Sequence, residues 1–185
     1  LATAHPELVA EWDFERNGDL RPDGVRFNAT KQVWWRGSCG HEWQMSPRQR
    51  AAEGLGCPYC SGHRVLAGFN DLASQHPELL AEWDWELNGD LRPDGIVSGS
   101  ARRVWWRCGH GHAWQISAYN RTGGADRGCP YCGDRKVLKG YNDLRTTHPK
   151  IAREWNKERN GDLKPTDVIA NSNKRVWWKC KEGHE

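Results

Sequence analysis

Little in this sequence could build one large aliphatic core. Only 37% of the 185 residues are hydrophobic, twelve of them are Trp, and there are just three Phe and one Met. That shortage argues against a single large domain and suits several small cores, each built around aromatics and fastened by something else. No apolar run approaches membrane-spanning length, so no membrane association is expected. A hydrophobic leader is also missing, and the seven Cys are an odd number; together these point away from a secreted disulfide framework and toward a reducing, cytoplasmic setting. The chain opens at Leu1 rather than Met, as an excised fragment does. Neither His-Glu-x-x-His nor Gly-x-Ser-x-Gly occurs, and no paired carboxylates stand beside a pocket-forming segment. An enzyme acting on a small-molecule substrate is therefore not expected.

What is present is repetition, the first thing to seek in such a composition. His5-Pro6-Glu7-Leu8 returns as His76-Pro77-Glu78-Leu79 and as His148-Pro149-Lys150-Ile151. Trp34-Trp35 returns as Trp105-Trp106 and Trp177-Trp178. Both series step by 71 and then 72 residues, with the added residue between Trp114 and Cys129. Three units follow, at residues 1–66, 67–138 and 139–185.

Each unit reads as small α+β. A helix is expected from Pro6 to about Arg16, with counterparts starting at Pro77 and Pro149, because Pro at the first helical position is pre-set in φ. Leu8, Val9 and Trp12 then share one face, and Asn17-Gly18 breaks the helix. Leu-Arg-Pro-Asp-Gly is a turn sequence. Val33-Trp34-Trp35-Arg36 is a strand whose hairpin partner is 41–44, rebuilt at 104–107 with 112–115. Core packing is the expected role of Trp12, Trp35, Trp43 and their counterparts. Strand alternation puts Trp34 and Trp35 on opposite faces, leaving open which member of each pair is exposed.

Six of the Cys lie in or next to short pairs with His nearby, which is metal-ligand spacing. In the second unit Cys108 and His112 sit on the hairpin, and Cys129-Pro-Tyr-Cys132 follows. A structural zinc site takes four ligands from Cys thiolate and His nitrogen, and two such pairs supply them. In the first unit Cys57, Cys60 and His41 keep their places, but Gly37 stands where Cys108 is expected and Cys39 aligns with His110. Either Cys39 and His41 chelate through a tighter turn or the site is distorted; His110 is either a ligand in place of Cys108 or an exposed hairpin residue. The third unit offers Cys180 and His184, half a site. Two full Zn2+ sites and one incomplete one are thus expected, and closed four-ligand coordination makes them structural, since a catalytic zinc keeps a position for water.

Together Leu-Ala-x-x-His-Pro-Glu-Leu, Glu-Trp-Asp, Asn-Gly, Val-Trp-Trp-x-Cys, Gly-His-x-Trp and Gly-Cys-Pro-Tyr-Cys resemble a zinc-ribbon, treble-clef zinc finger family of bacterial repeat proteins. The resemblance spans about two and a half copies. It implies tandem treble-clef-like modules, each a helix plus a β-hairpin with two zinc knuckles. It also implies a nucleic-acid setting, because some members sit beside endonuclease-like domains. The family's ligands carry over to Cys108, His112, Cys129 and Cys132 directly, and to the first unit only in part.

Net charge is +3, but its distribution is uneven. Residues 26–66 carry six Lys/Arg against two Asp/Glu, residues 95–138 seven against two, and residues 71–94 one against seven. A basic finger beside an acidic helix suits contact with a nucleic-acid backbone. The candidate contacts are Lys31, Arg36, Arg50 and Arg64 in the first unit. In the second they are Arg102, Arg103, Arg107, Arg121, Arg135 and Lys136, and in the third Lys174, Arg175 and Lys179. The expected function is a DNA-binding array, the recognition part of a larger bacterial protein. The other reading is a protein-interaction or spacer array that positions an effector such as a nuclease domain.

Overall fold

A computed structural model describes residues 1–123 and 128–185. Its strands are β1 (Val33–Arg36), β2 (Glu42–Met45), β3 (Arg103–Arg107) and β4 (Ala113–Ser117). They form two separate two-stranded antiparallel sheets, in register Trp35↔Trp43 and Trp106↔Trp114. Each hairpin runs directly into one turn and a half of helix, α1 (Pro47–Ala51) or α3 (Ala118–Thr122). Ser46 and Ser117 accept from the backbone N–H three residues on, and Ser46 and Gln49 complete a capping box. Later come the short helices α2 (Leu72–Gln75), α4 (Leu144–Thr147), α5 (Pro149–Ala152) and α6 (Lys157–Asn160).

The chain gathers into two compact units, one of residues 1–80 with 90–100, the other of 81–89 with 101–185. The boundaries read at 66/67 and 138/139 therefore mark the sequence repeat and not the compact bodies. The physical reason lies at the joint. Leu72 is buried, its N–H donates to Ile96 O at 2.9 Å, and Asp71 bridges Val97. A piece of the second repeat thereby folds with the first.

The helix expected over Pro6 to Arg16 is a 3-10 helix that ends at Glu11, and its counterpart covers Pro77–Glu82. Trp12 is extended (φ −71°, ψ 121°) because it bridges Trp35, against which its ring packs edge-on at 5.5 Å. Trp83–Trp106 and Trp155–Trp178 repeat both the bridge and the edge-on packing. Tertiary pairing of aromatics has overridden local helix propensity.

In the first unit Leu1, Leu8, Trp12, Val33, Trp35, Trp43 and Met45 form one buried cluster. Trp35 Nε1 donates to Met45 O at 2.9 Å, and Trp106 Nε1 to Ile116 O at 3.1 Å. The ambiguity within each Trp pair is resolved. Trp35 and Trp106 are buried, whereas Trp34 and Trp105 are half-buried and Trp177 is exposed.

Asn17 does more than end a helix. Its amide donates to Trp34 O at 2.8 Å and accepts from Trp34 N at 2.9 Å. Asn88 clamps Trp105 the same way at 2.8 and 2.9 Å, and Asn160 clamps Trp177 at 2.7 and 2.8 Å. Each side chain thus satisfies the free edge of a short strand. Asn88→Ala is expected to cost about 2 kcal/mol, two hydrogen bonds at about 1 kcal/mol each. Asn88→Asp should recover little, because a carboxylate cannot donate to the Trp105 carbonyl. Urea unfolding of both variants measures this.

Candidate metal centre

The first metal cluster is assembled by the β1–β2 turn and by the loop after α1. Gly37 N donates to His41 O and Gly40 N to Gly37 O, each at 3.0 Å, closing a tight turn that Gly40 enters at φ +79°. The same turn recurs through Cys108, Gly111 and His112 and again through Cys180, Gly183 and His184. The second pair comes from Cys57-Pro58-Tyr59-Cys60, folded back by Ser61 N to Cys57 O and Arg64 N to Pro58 O. Gly133 N to Cys129 O and Lys136 N to Pro130 O rebuild it.

These turns bring together Cys39, His41, Cys57 and Cys60 in one cluster and Cys108, His112, Cys129 and Cys132 in another. Within each cluster all four ligand atoms lie within 4.8 Å of one another. Tetrahedral coordination with metal–sulfur distances of about 2.3 Å and metal–nitrogen of about 2.0–2.1 Å has edges of about 3.8 Å (S–S) and about 3.6 Å (S–N). His41 Nδ1 lies 3.5 Å from Cys57 Sγ and 3.4 Å from Cys60 Sγ. His112 Nδ1 lies 3.6, 3.6 and 3.3 Å from Cys108, Cys129 and Cys132, and Cys108 Sγ is 3.8 Å from Cys132 Sγ. The donor sets therefore fit one tetrahedral ion each, with Nδ1 as the ligating nitrogen.

The displaced first Cys of unit 1 has a steric explanation. A Cβ on Gly37 would lie 3.1 Å from Cys39 Sγ and 3.0 Å from Trp43 Cη2. The Cys39 thiol occupies the space that a side chain at 37 would take, so the sulfur of the cluster comes from two residues further along. Cys180 and His184 share the turn, but among the described residues no third donor joins them.

The sulfurs are not equivalent. The His41 backbone N–H, donating to Cys39, holds that thiol below its usual range despite burial. Burial pushes Cys108 up, but the N–H groups of His110 and His112 outweigh it and the net direction is down. Burial, joined by the neighbouring sulfurs, pushes Cys60 up to about 11. Cys129 is likewise raised to about 11, by burial first. Such thiols carry protons at neutral pH without metal and lose them on binding, so the metal-linked stability is present at high pH and lost as pH falls. The raised thiol in each cluster releases at least one proton per ion, which implies a loss of about tenfold or more in affinity per pH unit. Chelator-competition titrations at pH 6 and pH 8 should show that drop.

One element of the site is absent from the sequence reading. Phe69 packs edge-on against the His41 ring at 4.3 Å, and Tyr141 against His112 at 4.1 Å. Tyr141 Oη also lies 3.7 Å from Cys132 Sγ, a contact Phe69 cannot make. Asn70 holds this lid. It accepts from Leu66 N at 2.7 Å and donates to Tyr59 O at 2.7 Å and Arg64 O at 2.9 Å, and Asn142 repeats the pattern. The signal was the recurrence of Gly-Phe-Asn-Asp-Leu (68–72) as Gly-Tyr-Asn-Asp-Leu (140–144).

The basic candidates divide into two classes. Arg50 is buried, pairs with Glu11 and lies over the Trp35 and Trp43 rings at 5.5 and 5.7 Å. Arg121 pairs with Glu82 at 2.8 Å and lies 5.8 Å over Trp106. These two guanidinium groups close the Trp cores, and as surface contacts they are withdrawn. Arg36 pairs with Glu42 at 2.7 Å and faces Asp13, and Arg107 pairs with Asp84 at 2.8 Å. Lys179 sits 3.7 Å from Glu185. Lys31, Arg64, Arg102, Arg103, Arg135, Lys136, Lys174 and Arg175 are all exposed.

Among the described residues no helix is long and apolar enough to cross a membrane. Residues 8–63, 79–135 and 151–185 each match one family model, described as a probable treble clef zinc finger domain. No curated protein matches the chain.

Proposed function

Starting from a chain that belongs to the probable treble clef zinc finger domain family, we propose that both clusters hold Zn2+ and that the modules form a DNA-binding array. Four protein donors fill a tetrahedral ion and leave no place for an activated water, so the zinc is read as structural and the chain as non-enzymatic. The observation that carries the nucleic-acid reading is a set of exposed cations at matching places in the repeat. Lys31 and Lys174 correspond ahead of the Trp pair, as do Arg103 and Arg175; Arg64 and Lys136 correspond after the second knuckle. Among the described residues none of these six forms an ion pair within the chain. Their charge is available to phosphate, whereas that of Arg36, Arg50, Arg107 and Arg121 is met internally.

Fluorescence anisotropy with duplex and single-stranded DNA at low salt tests this. Binding should weaken steeply with salt, and a variant with Arg64, Arg135 and Lys136 changed to Ala should lower the slope by about 0.7–0.9 per lost phosphate contact. Arg50→Ala should instead act through stability. No binding to either form of DNA at low salt would end this reading. The second reading, a protein-interaction or spacer array beside a nuclease-like effector, is favoured by exposed Phe14, Trp85 and Trp177. A salt-independent protein partner would support it.

A further inference from the structure

The two clusters differ in the number of donors within reach. In the first, the metal turn offers one sulfur, Cys39, because Gly37 has no side chain. In the second, both positions carry a donor: Cys108 belongs to the cluster, and His110 occupies the place from which Cys39 ligates. His110 Nδ1 lies 3.6 Å from Cys132 Sγ, the S–N edge length of the tetrahedron, and its ring runs nearly parallel to His112 at 6.1 Å and 19°. The residue is exposed, its backbone N–H donates to the Cys108 sulfur, and its ring makes no further hydrogen bond among the described residues. Position 110 therefore matches the one from which Cys39 joins the first cluster, and its Nδ1 lies at the edge of the second.

We infer that His110 is a reserve zinc ligand that takes the fourth position when the Cys108 sulfur leaves it. The inference rests on the zinc reading of the clusters. The exchange forms a bond from the neutral Nδ1 to zinc and breaks the one from the Cys108 thiolate, which takes up a proton. The set passes from Cys3His, net −1 with the ion, to Cys2His2, net zero; both are ordinary structural zinc sets. The second finger can then survive damage to its first Cys, and its surface becomes one charge more positive. The first finger has no such substitute.

Metal content and Co2+ spectra of the full chain test this. Wild type should hold two ions, Cys39→Ala one, Cys108→Ala two, and Cys108→Ala/His110→Ala one. In Cys108→Ala the sulfur-to-cobalt absorption should fall by about one thiolate's share while the tetrahedral d–d bands persist. Its affinity should exceed that of the double variant at least tenfold. Loss of one ion from Cys108→Ala overturns the inference, and so does a double variant that retains both ions as tightly. Should Cys39→Ala also keep two ions, the comparison of Cys108→Ala with the double variant decides alone. Wild type free of metal would overturn the zinc reading itself, an outcome recognisable before any variant is made.

Discussion

Chelating the metal should abolish the native fold of both fingers, the largest effect expected for this protein. Structural zinc supplies about 10–16 kcal/mol of apparent folding free energy in small fingers, as much as the whole stability of an ordinary domain. Here the dependence should be near complete, because among the described residues each sheet consists of a single two-stranded hairpin. An isolated two-stranded sheet is marginal in water. The loop bearing Cys57 and Cys60 meets the β1–β2 turn through the cluster, with Cys57 and Tyr59 only partly buried against the core. Excess chelator should shift Trp emission to the red as Trp35, Trp43 and Trp106 meet water, and zinc should restore it. Cys57→Ala should do this for the first finger alone and Cys129→Ala for the second. Unchanged emission and thermal midpoint in demonstrably metal-free protein would show that the Trp cores suffice without an ion.

The second largest effect is expected from Trp106→Ala. This ring is fully buried, packs edge-on against Trp83 at 5.6 Å, donates to Ile116 O and lies beneath Arg121. Truncation should cost about 3–5 kcal/mol, since such a large void beside short strands collapses poorly. It also orphans a carbonyl, and the Arg121–Glu82 pair loses the surface that shields it. Trp105→Ala is the control on the same strand. Trp105 is half-buried and its backbone is held by Asn88 whichever side chain it carries, so the cost should stay below about 1.5 kcal/mol. Urea titrations that gave the two variants equal costs would refute the assignment of inner and outer faces.

The metal donors were legible because chelation uses short spacings: a turn of three to five residues brings Cys39 to His41 or Cys108 to His112 without reference to the rest of the chain. The hairpins were legible for the same reason, and strand alternation separated Trp34 from Trp35. What escaped depends on partners remote in sequence. Trp12 looks helical until Trp35 pulls it into a bridge, and Asn17 looks like a helix stop until its amide exchanges two hydrogen bonds with the backbone of Trp34, seventeen residues on. Arg50 and Arg121 read as surface cations because Glu11 and Glu82 lie thirty-nine residues away. The shift from position 37 to Cys39 was visible as a misalignment, but its cause needed the Trp43 ring.

The lid over each cluster has a consequence for how copies of this repeat can be joined. Phe69 covers His41, Asn70 ties the knuckle, and Asp71, the very next residue, caps α2 and bridges Val97. Tyr141, Asn142 and Asp143 do the same toward Ile169. Closure of one finger and initiation of the following repeat are thus written in the same three residues, with no spacer between them. An array built this way lengthens by whole periods without a designed linker, each added copy bringing the roof of its predecessor. It also has a grammar. An insertion between the lid and its cap would leave both motifs intact and still uncouple them, so loss of an ion from one finger would no longer loosen the start of the next.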